Sequence, residues 1–333
     1  MVSNSSLPTS NISSTCDGCT LTLEWKTSVI MGVEIMWTLL TIVINILTVL
    51  VILFHRRLRT VTSQLVVSLC VANLLFGVSM AYHAAYFSVP EHIDSCKYCC
   101  LLRYVLILLP AYATAYNLAA ISLDRYLAIF YPLHYTQLTN PRIIKSVVLF
   151  VWFLSTILAL LLLVWNKWAP DQKCDYLAVA PKEYILCFMV IPAFMIFAFL
   201  AFVHTRIWFE VRRLLHHTIA IIHKSYSLQK EIKTAVTVIA IVISYCVSFL
   251  PYHMVLLVIL SGKDSEKLHQ LYTALVPLTF LNPCVNPLIY VWRNRHFRKA
   301  LFSILGYGAS SRHQLTLRPM YTAKILTPEV STS

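Results

Sequence analysis

Glycine is scarce in this chain, six residues in 333, and acidic side chains number only 14 against 27 lysines and arginines. With so little glycine there is no phosphate-cradling loop, and neither a nucleophile elbow nor a metal-spaced His-Glu pair is present. The sequence therefore carries no enzyme signature: no catalytic residue, metal ligand or cofactor is expected. Charged residues make up 12% and hydrophobic ones 58%, with a mean hydropathy of +0.70. A soluble core of this length cannot hide so much apolar surface, and lipid is the solvent that the composition points to. The apolar stretches are continuous rather than alternating in polarity, so they read as helices and not as barrel strands.

Crossing about 30 Å of hydrocarbon takes roughly 20 apolar residues. Seven stretches qualify: 28–54, 61–87, 101–122, 146–165, 185–203, 235–261 and 271–292. The expected fold is all-α, a seven-helix transmembrane bundle over 28–292. A polar arm (1–27) precedes it, and an amphipathic helix with a tail (293–333) follows. The first stretch is too long, starts too late and lacks the small-residue cleavage site of a signal peptide. Nineteen of the 27 basic residues fall on one side, in the loops after the first, third and fifth stretches and in the tail. The positive-inside bias makes that side cytoplasmic and the N-terminus extracellular, in the plasma membrane. The net charge of +13 then reflects topology and contact with anionic membrane lipids, not nucleic acid. Asn4 and Asn11 head Asn-X-Ser sequons in the outer arm and are the expected glycosylation sites.

Asp124-Arg125-Tyr126 stands at the inner end of the third stretch. Alone, such a triplet is also what a charged helix end meeting water looks like. Cys100 lies 25 residues before Arg125, however, Trp152 sits inside the fourth stretch, and Asn286-Pro287-Leu288-Ile289-Tyr290 closes the seventh. Together these marks resemble the rhodopsin-like, G-protein-coupled receptors, from about Ile30 to Leu305.

The resemblance implies several roles. Arg125 is held at rest and released to meet a heterotrimeric G protein, with Asp124 as its neighbour, Tyr126 beside them and Glu231 as a possible second partner. Cys100 and Cys174 pair as a disulfide, while Cys16, Cys19, Cys96 and Cys99 can pair in several ways. Pro251, above Phe249, and Pro287 each remove a helix hydrogen bond and kink the sixth and seventh helices. Phe297, Leu301 and Phe302 among cations form a short helix on the inner leaflet.

The pattern also departs from that family. Asn73 replaces the aspartate that binds sodium in the second helix, and an amide lacks the charge to offset a cation's desolvation. A weak or absent sodium site is expected, with elevated basal signalling as the hypothesis. Phe249 replaces the usual tryptophan, and Pro192 lies about one turn early in the fifth helix.

The ligand is narrowed by what is missing. Ile107 occupies the place where amine receptors hold an aspartate, and Phe280 the depth where opsins carry a lysine. Glu34, Leu228-Gln229-Lys230-Glu231 and His253 are similar to adenosine receptors, with Tyr176 in place of a base-stacking phenylalanine. Leu256 and Phe280, however, replace their purine-gripping asparagine and their histidine. The outer loop Trp165-Asn166-Lys167-Trp168 and the Tyr104 and Tyr252 contexts look like the membrane bile-acid receptor. The expected pocket comprises Tyr104, Ile107, Leu108, Tyr176, Tyr252, His253, Leu256, Val276 and Phe280, and suits a compact amphipath. For each, plain interhelical packing is the competing reading. An extracellular steroid-like or lipid-like small molecule is favoured over a nucleoside. Glu34, an acid inside a span, is expected to serve a purpose, with His253 as the candidate partner. A transporter or channel would show internal repeats or several intramembrane charges, which this sequence lacks.

Overall fold

The computed structural model describes residues 17–88, 90–170, 172–217, 226–263, 265–293 and 295–304. Side chains are described for all of these except 17–31, 57, 61, 85, 87, 88, 90, 136, 214–217, 226–231, 290–293, 295 and 296. Asn4, Asn11 and Cys16 lie outside the described residues, as do the side chains of Cys19, Glu231 and Tyr290.

The architecture is a bundle of long helices with no strand among the described residues. They are α1 (Asp17–Phe54), α2 (Val61–Ser88), α3 (Lys97–Phe130), α4 (Pro141–Val164), α5 (Ile191–His217), α6 (Tyr226–Leu260), α7 (Glu266–Arg293) and α8 (Arg295–Ile304). α3 is central and packs against α2, α4, α5 and α6. Large apolar side chains such as Leu149, Phe150, Phe153 and Phe202 stand exposed on the outer faces of α4 and α5. A surface of that kind is stable in hydrocarbon and not in water, so the chain is a multi-pass membrane protein.

Six stretches are long and apolar enough to cross a bilayer, in α1 to α4, in Lys182–Arg213 including α5, and in α6. α7 is the exception to the seven equally apolar spans expected. It contains Pro277, Pro283 and Pro287, and buries Asn282, Asn286 and Thr279. Packing against α1, α2 and α6, rather than its own hydropathy, places it in the bundle.

Local sequence sets the helix ends. Asn140 caps α4 by accepting the Arg142 amide at 2.8 Å, with Pro141 supplying the preset φ of a first helical residue. Gly262, at φ 87°, turns the chain between α6 and α7, a conformation that a Cβ disfavours. Ahead of α5, the residues Ile185–Val190 form a π-helical turn in which the Ile191 amide reaches back to the Leu186 carbonyl.

The interior prolines do more than bend helices. A proline has no N–H, so the carbonyl four residues earlier loses its helical donor. Pro110 thereby frees the Leu106 carbonyl in α3, and the Ser79 hydroxyl of α2 donates to it. Pro287 frees the Pro283 carbonyl in α7, and Asn45 Nδ2 of α1 donates to it at 3.0 Å. Each proline thus yields a helix-to-helix hydrogen bond, where an unmatched carbonyl in lipid would be costly.

α8 lies against the end of α1. Phe297 and Ala300 bury against Val51 and Ile52, while Lys299 on the opposite face is exposed. This is the amphipathic eighth helix that completes the seven-helix bundle.

Candidate functional site

Two disulfides fasten the start of α3 and tie it to the loop before α5. Cys100 is joined to Cys174, and Cys96 to Cys99 across the first turn of α3. Between the outer loop and the middle of the bundle lies a cavity with about 1020 Å3 of empty volume. Tyr104, Ile107, Leu108, Tyr176, Tyr252, His253, Val276 and Phe280 all line it. Leu256 does not. It is fully buried in the core cluster around Leu108 and Tyr184, so its expected place in the pocket is corrected. The resemblance to adenosine receptors put it in the pocket, at the place of their asparagine, but here the side chain packs into the core beside it.

The sequence reading missed Phe76, Met80, Tyr112, Tyr116, Tyr272 and Thr279, which also line the cavity. Only a neighbour list finds them, because apolar and tyrosine residues on every inward helix face look alike. No charged side chain belongs to the lining.

The polar tips of the cavity are held in place. The Tyr104 hydroxyl donates to the Cys174 carbonyl at 2.8 Å, and Tyr104 and Tyr176 face each other with ring centroids 5.2 Å apart. The Tyr252 and Tyr272 hydroxyls pair at 3.0 Å across α6 and α7. His253 Nδ1 donates to the Phe249 carbonyl at 2.8 Å, which leaves Nε2 as the acceptor of a neutral ring. Burial pushes the Tyr176 phenol well above its ordinary range, so this outer-loop residue stays protonated.

From the cavity wall an aromatic column runs through His253, Phe249, Tyr245 and Phe197, with Tyr245 and Phe249 centroids 4.9 Å apart. Pro251 lies within this part of α6. Beneath it sit the buried amides Asn45, Asn73, Asn117, Asn282 and Asn286. Asn73 Nδ2 donates to Asn45 Oδ1 at 3.1 Å. Three further neutral amides accompany this donor-acceptor pair, and none of the five carries a charge that would offset a cation's lost hydration.

At the far end of α3, Arg125 is 4% exposed and closed into a polar ring. Its Nε donates to Asp124 Oδ2 at 2.9 Å, and Nη2 donates to Asp124, to Thr62 Oγ1 at 2.7 Å and to the Tyr135 hydroxyl at 3.0 Å. Tyr135 in turn donates to Asp124 Oδ1 at 2.9 Å, and Thr62 to Oδ2 at 3.1 Å. Burial raises the Tyr135 phenol, and the Asp124 charge adds to this against the opposing pull of Arg125. The phenol therefore remains a donor to the carboxylate. Thr62 and Tyr135 were not legible as partners, since they lie 62 and 11 residues from Asp124. Beside this ring Tyr126 stacks on Phe130 at 4.3 Å, within an apolar cluster that joins the ends of α3, α5 and α6.

Glu34 does not meet His253. Its Oε2 lies 3.8 Å from His83 Nδ1, at the α1–α2 contact. The expected partner is thereby corrected: His253 is tied to its own helix, while α2 packs directly on α1 through Gly77, where an added Cβ would lie 3.0 Å from Ile42 Cγ1.

A membrane bundle with a sealed polar ring at one end of α3 and an aromatic-lined cavity at the other defines a signal-transducing receptor rather than an enzyme. The sequence profile of the 7 transmembrane receptor (rhodopsin family) matches residues 44–290, and the chain belongs to that family, the class A G-protein-coupled receptors. It is 27% identical to the human adenosine receptor A2b, over 85% of this chain and 91% of that one. It is 28% identical to the canine histamine H2 receptor, over 79% and 75%, and 26% identical to the rat galanin receptor type 2, over 78% and 71%.

Proposed function

We propose that this receptor is activated from outside the cell by a compact, mostly apolar amphipath of steroid-like or lipid-like chemistry, bound in the aromatic-lined cavity. The observation that carries this reading is the lining itself, which is apolar except for tyrosines, a threonine and His253, and has no charge to hold an ammonium or a phosphate. In this reading the N-terminus and the disulfide end face outward in the plasma membrane. The basic loops and the Arg125 ring face inward, toward anionic lipid and a heterotrimeric G protein. Ligand contact with Phe249 and His253 biases α6 around Pro251, and Asn286 and Pro287 do the same for α7. Release of Arg125 from Asp124 and Tyr135 then presents its guanidinium to the partner.

The likeness to adenosine receptors favours a second reading, a nucleoside ligand. Against it stands the burial of Leu256 away from the cavity, which leaves α6 without an amide for a purine at that position. A panel of bile acids, neutral steroids, lysolipids and nucleosides, read by nucleotide exchange on G protein, separates the two. Steroids or lysolipids are expected to raise exchange, and Ala111→Trp, which fills the cavity from α3, to abolish the response at equal surface expression. Exchange driven by nucleosides alone would replace the lipid reading.

The neutral amide at position 73 also supports raised basal signalling, because no bound cation holds the resting state. Asn73→Asp would set a carboxylate against Asn45 Oδ1, a repulsion that a bound cation would relieve. Basal exchange is expected to fall in sodium buffer and not in choline buffer. Equal basal rates of wild type and variant in both buffers would remove this part of the proposal.

A further inference from the structure

Behind Phe280 the main cavity has a neighbour, a small recess between α1, α2 and α7 with room for little more than one water-sized group. Phe76, Met80 and Phe280 line both spaces, and the Phe76 and Phe280 rings meet edge-on at 5.8 Å. The only charged residue in the recess is Glu34. It is 8% exposed, and its Oε2 accepts no hydrogen bond among the described residues.

The nearest donor, the His83 ring, falls short of Glu34. Arg103 Nη2 lies 2.9 Å from His83 Nε2, and a guanidinium only donates, so Nε2 accepts and the ring proton sits on Nδ1. That Nδ1 is 3.8 Å from Glu34, beyond hydrogen-bond reach. Arg103 is itself clamped: its guanidinium lies 3.9 Å over the Tyr86 ring, and Nη1 donates to the Cys174 carbonyl at 3.3 Å. Tyr86 donates to Asp94, which also accepts the Cys174 amide at 2.7 Å. Closing the imidazole or the guanidinium on Glu34 therefore competes with the contacts that hold Arg103 to the outer loop. An acceptor buried beside an empty recess, with its polar neighbours tied back, is costly to the free protein and ready for an incoming donor.

We propose that Glu34 anchors a second ligand subsite. It receives a hydrogen-bond-donating group, a hydroxyl or a protonated amine, carried by a ligand whose apolar body fills the main cavity and whose tip passes Phe76, Met80 and Phe280. The proposal rests on the receptor reading above. It adds that the ligand has a donor at the end that reaches past Phe280. Oε2 is the acceptor, and Phe280, which walls both spaces, admits only a slender group.

The test uses the full chain in lipid nanodiscs, with one steroid skeleton bearing a 3-hydroxyl, 3-amino, 3-methoxy or no 3-substituent as probes. Thermal stabilisation and nucleotide exchange are both recorded. The hydroxyl or amino probe is expected to act at least about tenfold more potently than the methoxy probe on wild type. In Glu34→Leu that preference collapses. In Glu34→Gln a preference for the hydroxyl survives, because an amide oxygen still accepts, whereas a preference for the amine is lost, which separates the two donors. Without any probe, Glu34→Leu is expected to melt at the same temperature as wild type or higher, since it removes an unmatched acceptor. A lower melting temperature in Glu34→Leu, together with a donor preference unchanged from wild type, assigns Glu34 a packing role and overturns the proposal. If none of the four probes acts on wild type, the steroid reading of the main cavity fails. The subsite is then decided by the probe-free melting temperatures alone: a rise in Glu34→Leu supports it, and a fall overturns it.

Discussion

Arg125→Ala, compared at equal surface expression, is expected to reduce G-protein nucleotide exchange to background while ligand binding persists. The guanidinium makes four contacts in the ring at the end of α3, and all of its partners, Asp124, Thr62 and Tyr135, also bond to one another. Alanine removes the cation and leaves Asp124, 3% exposed, with only two hydroxyl donors. Stranding one member of a buried ion pair costs about 3–5 kcal/mol, so the variant is also expected to melt lower. Loss of signal and loss of stability must therefore be measured separately. Arg125→Lys keeps the charge but not the planar fork, and is expected to retain stability better than it retains exchange. Exchange unchanged in Arg125→Ala would remove Arg125 from the switch, and an ion flux that survives the substitution would favour transport.

The second large effect is expected at the roof of the cavity. The Cys100–Cys174 disulfide spans 74 residues, and closing a loop of that length is worth about 4 kcal/mol by the chain-entropy estimate. The same stretch of backbone is gripped three more times, by Tyr104 and Arg103 at the Cys174 carbonyl and by Asp94 at its amide. Cys174→Ser is expected to lower surface expression and to weaken the ligand response by more than about tenfold, because Tyr104 and Tyr176 lose their common support. The Cys96–Cys99 bridge spans only three residues, so Cys99→Ser is expected to leave thermal stability nearly unchanged. Thermal unfolding of the two variants side by side checks this, and equal losses would show that loop length is not what the bridge at Cys174 contributes.

Chemistry that repeats along one helix was readable without coordinates. Hydropathy marked the spans of α1 to α6, and the cations around Phe297 announced α8, whereas the cap at Asn140 that starts α4 six residues ahead of the expected span went unread. Pro110, Pro283 and Pro287 were visible too, but their consequences were not. Which donor reaches the carbonyl that a proline frees depends on the neighbouring helix, and it proved to be Ser79 for Leu106 and Asn45 for Pro283. α7 was the least legible helix, since its polar and proline content is tolerable only where other helices satisfy it.

The same division holds at the sites. Tyr104, Tyr176, Tyr252 and His253 were traceable because their contexts resemble the bile-acid and adenosine receptors, whereas Leu256 and Tyr272 were misjudged or missed. Glu34 stood out as an acid within a span, yet nothing in the chain pointed to His83 and Arg103 rather than His253. By itself the sequence determined the solvent, the number and order of the helices, and the residue types that carry charge inside them, because those follow from transfer free energies and local backbone chemistry. Only the tertiary structure decided which side chains share a cavity, which carbonyls find donors and which carboxylate is left waiting. Those outcomes depend on distances between helices far apart in the chain, and no periodicity within a single helix encodes them.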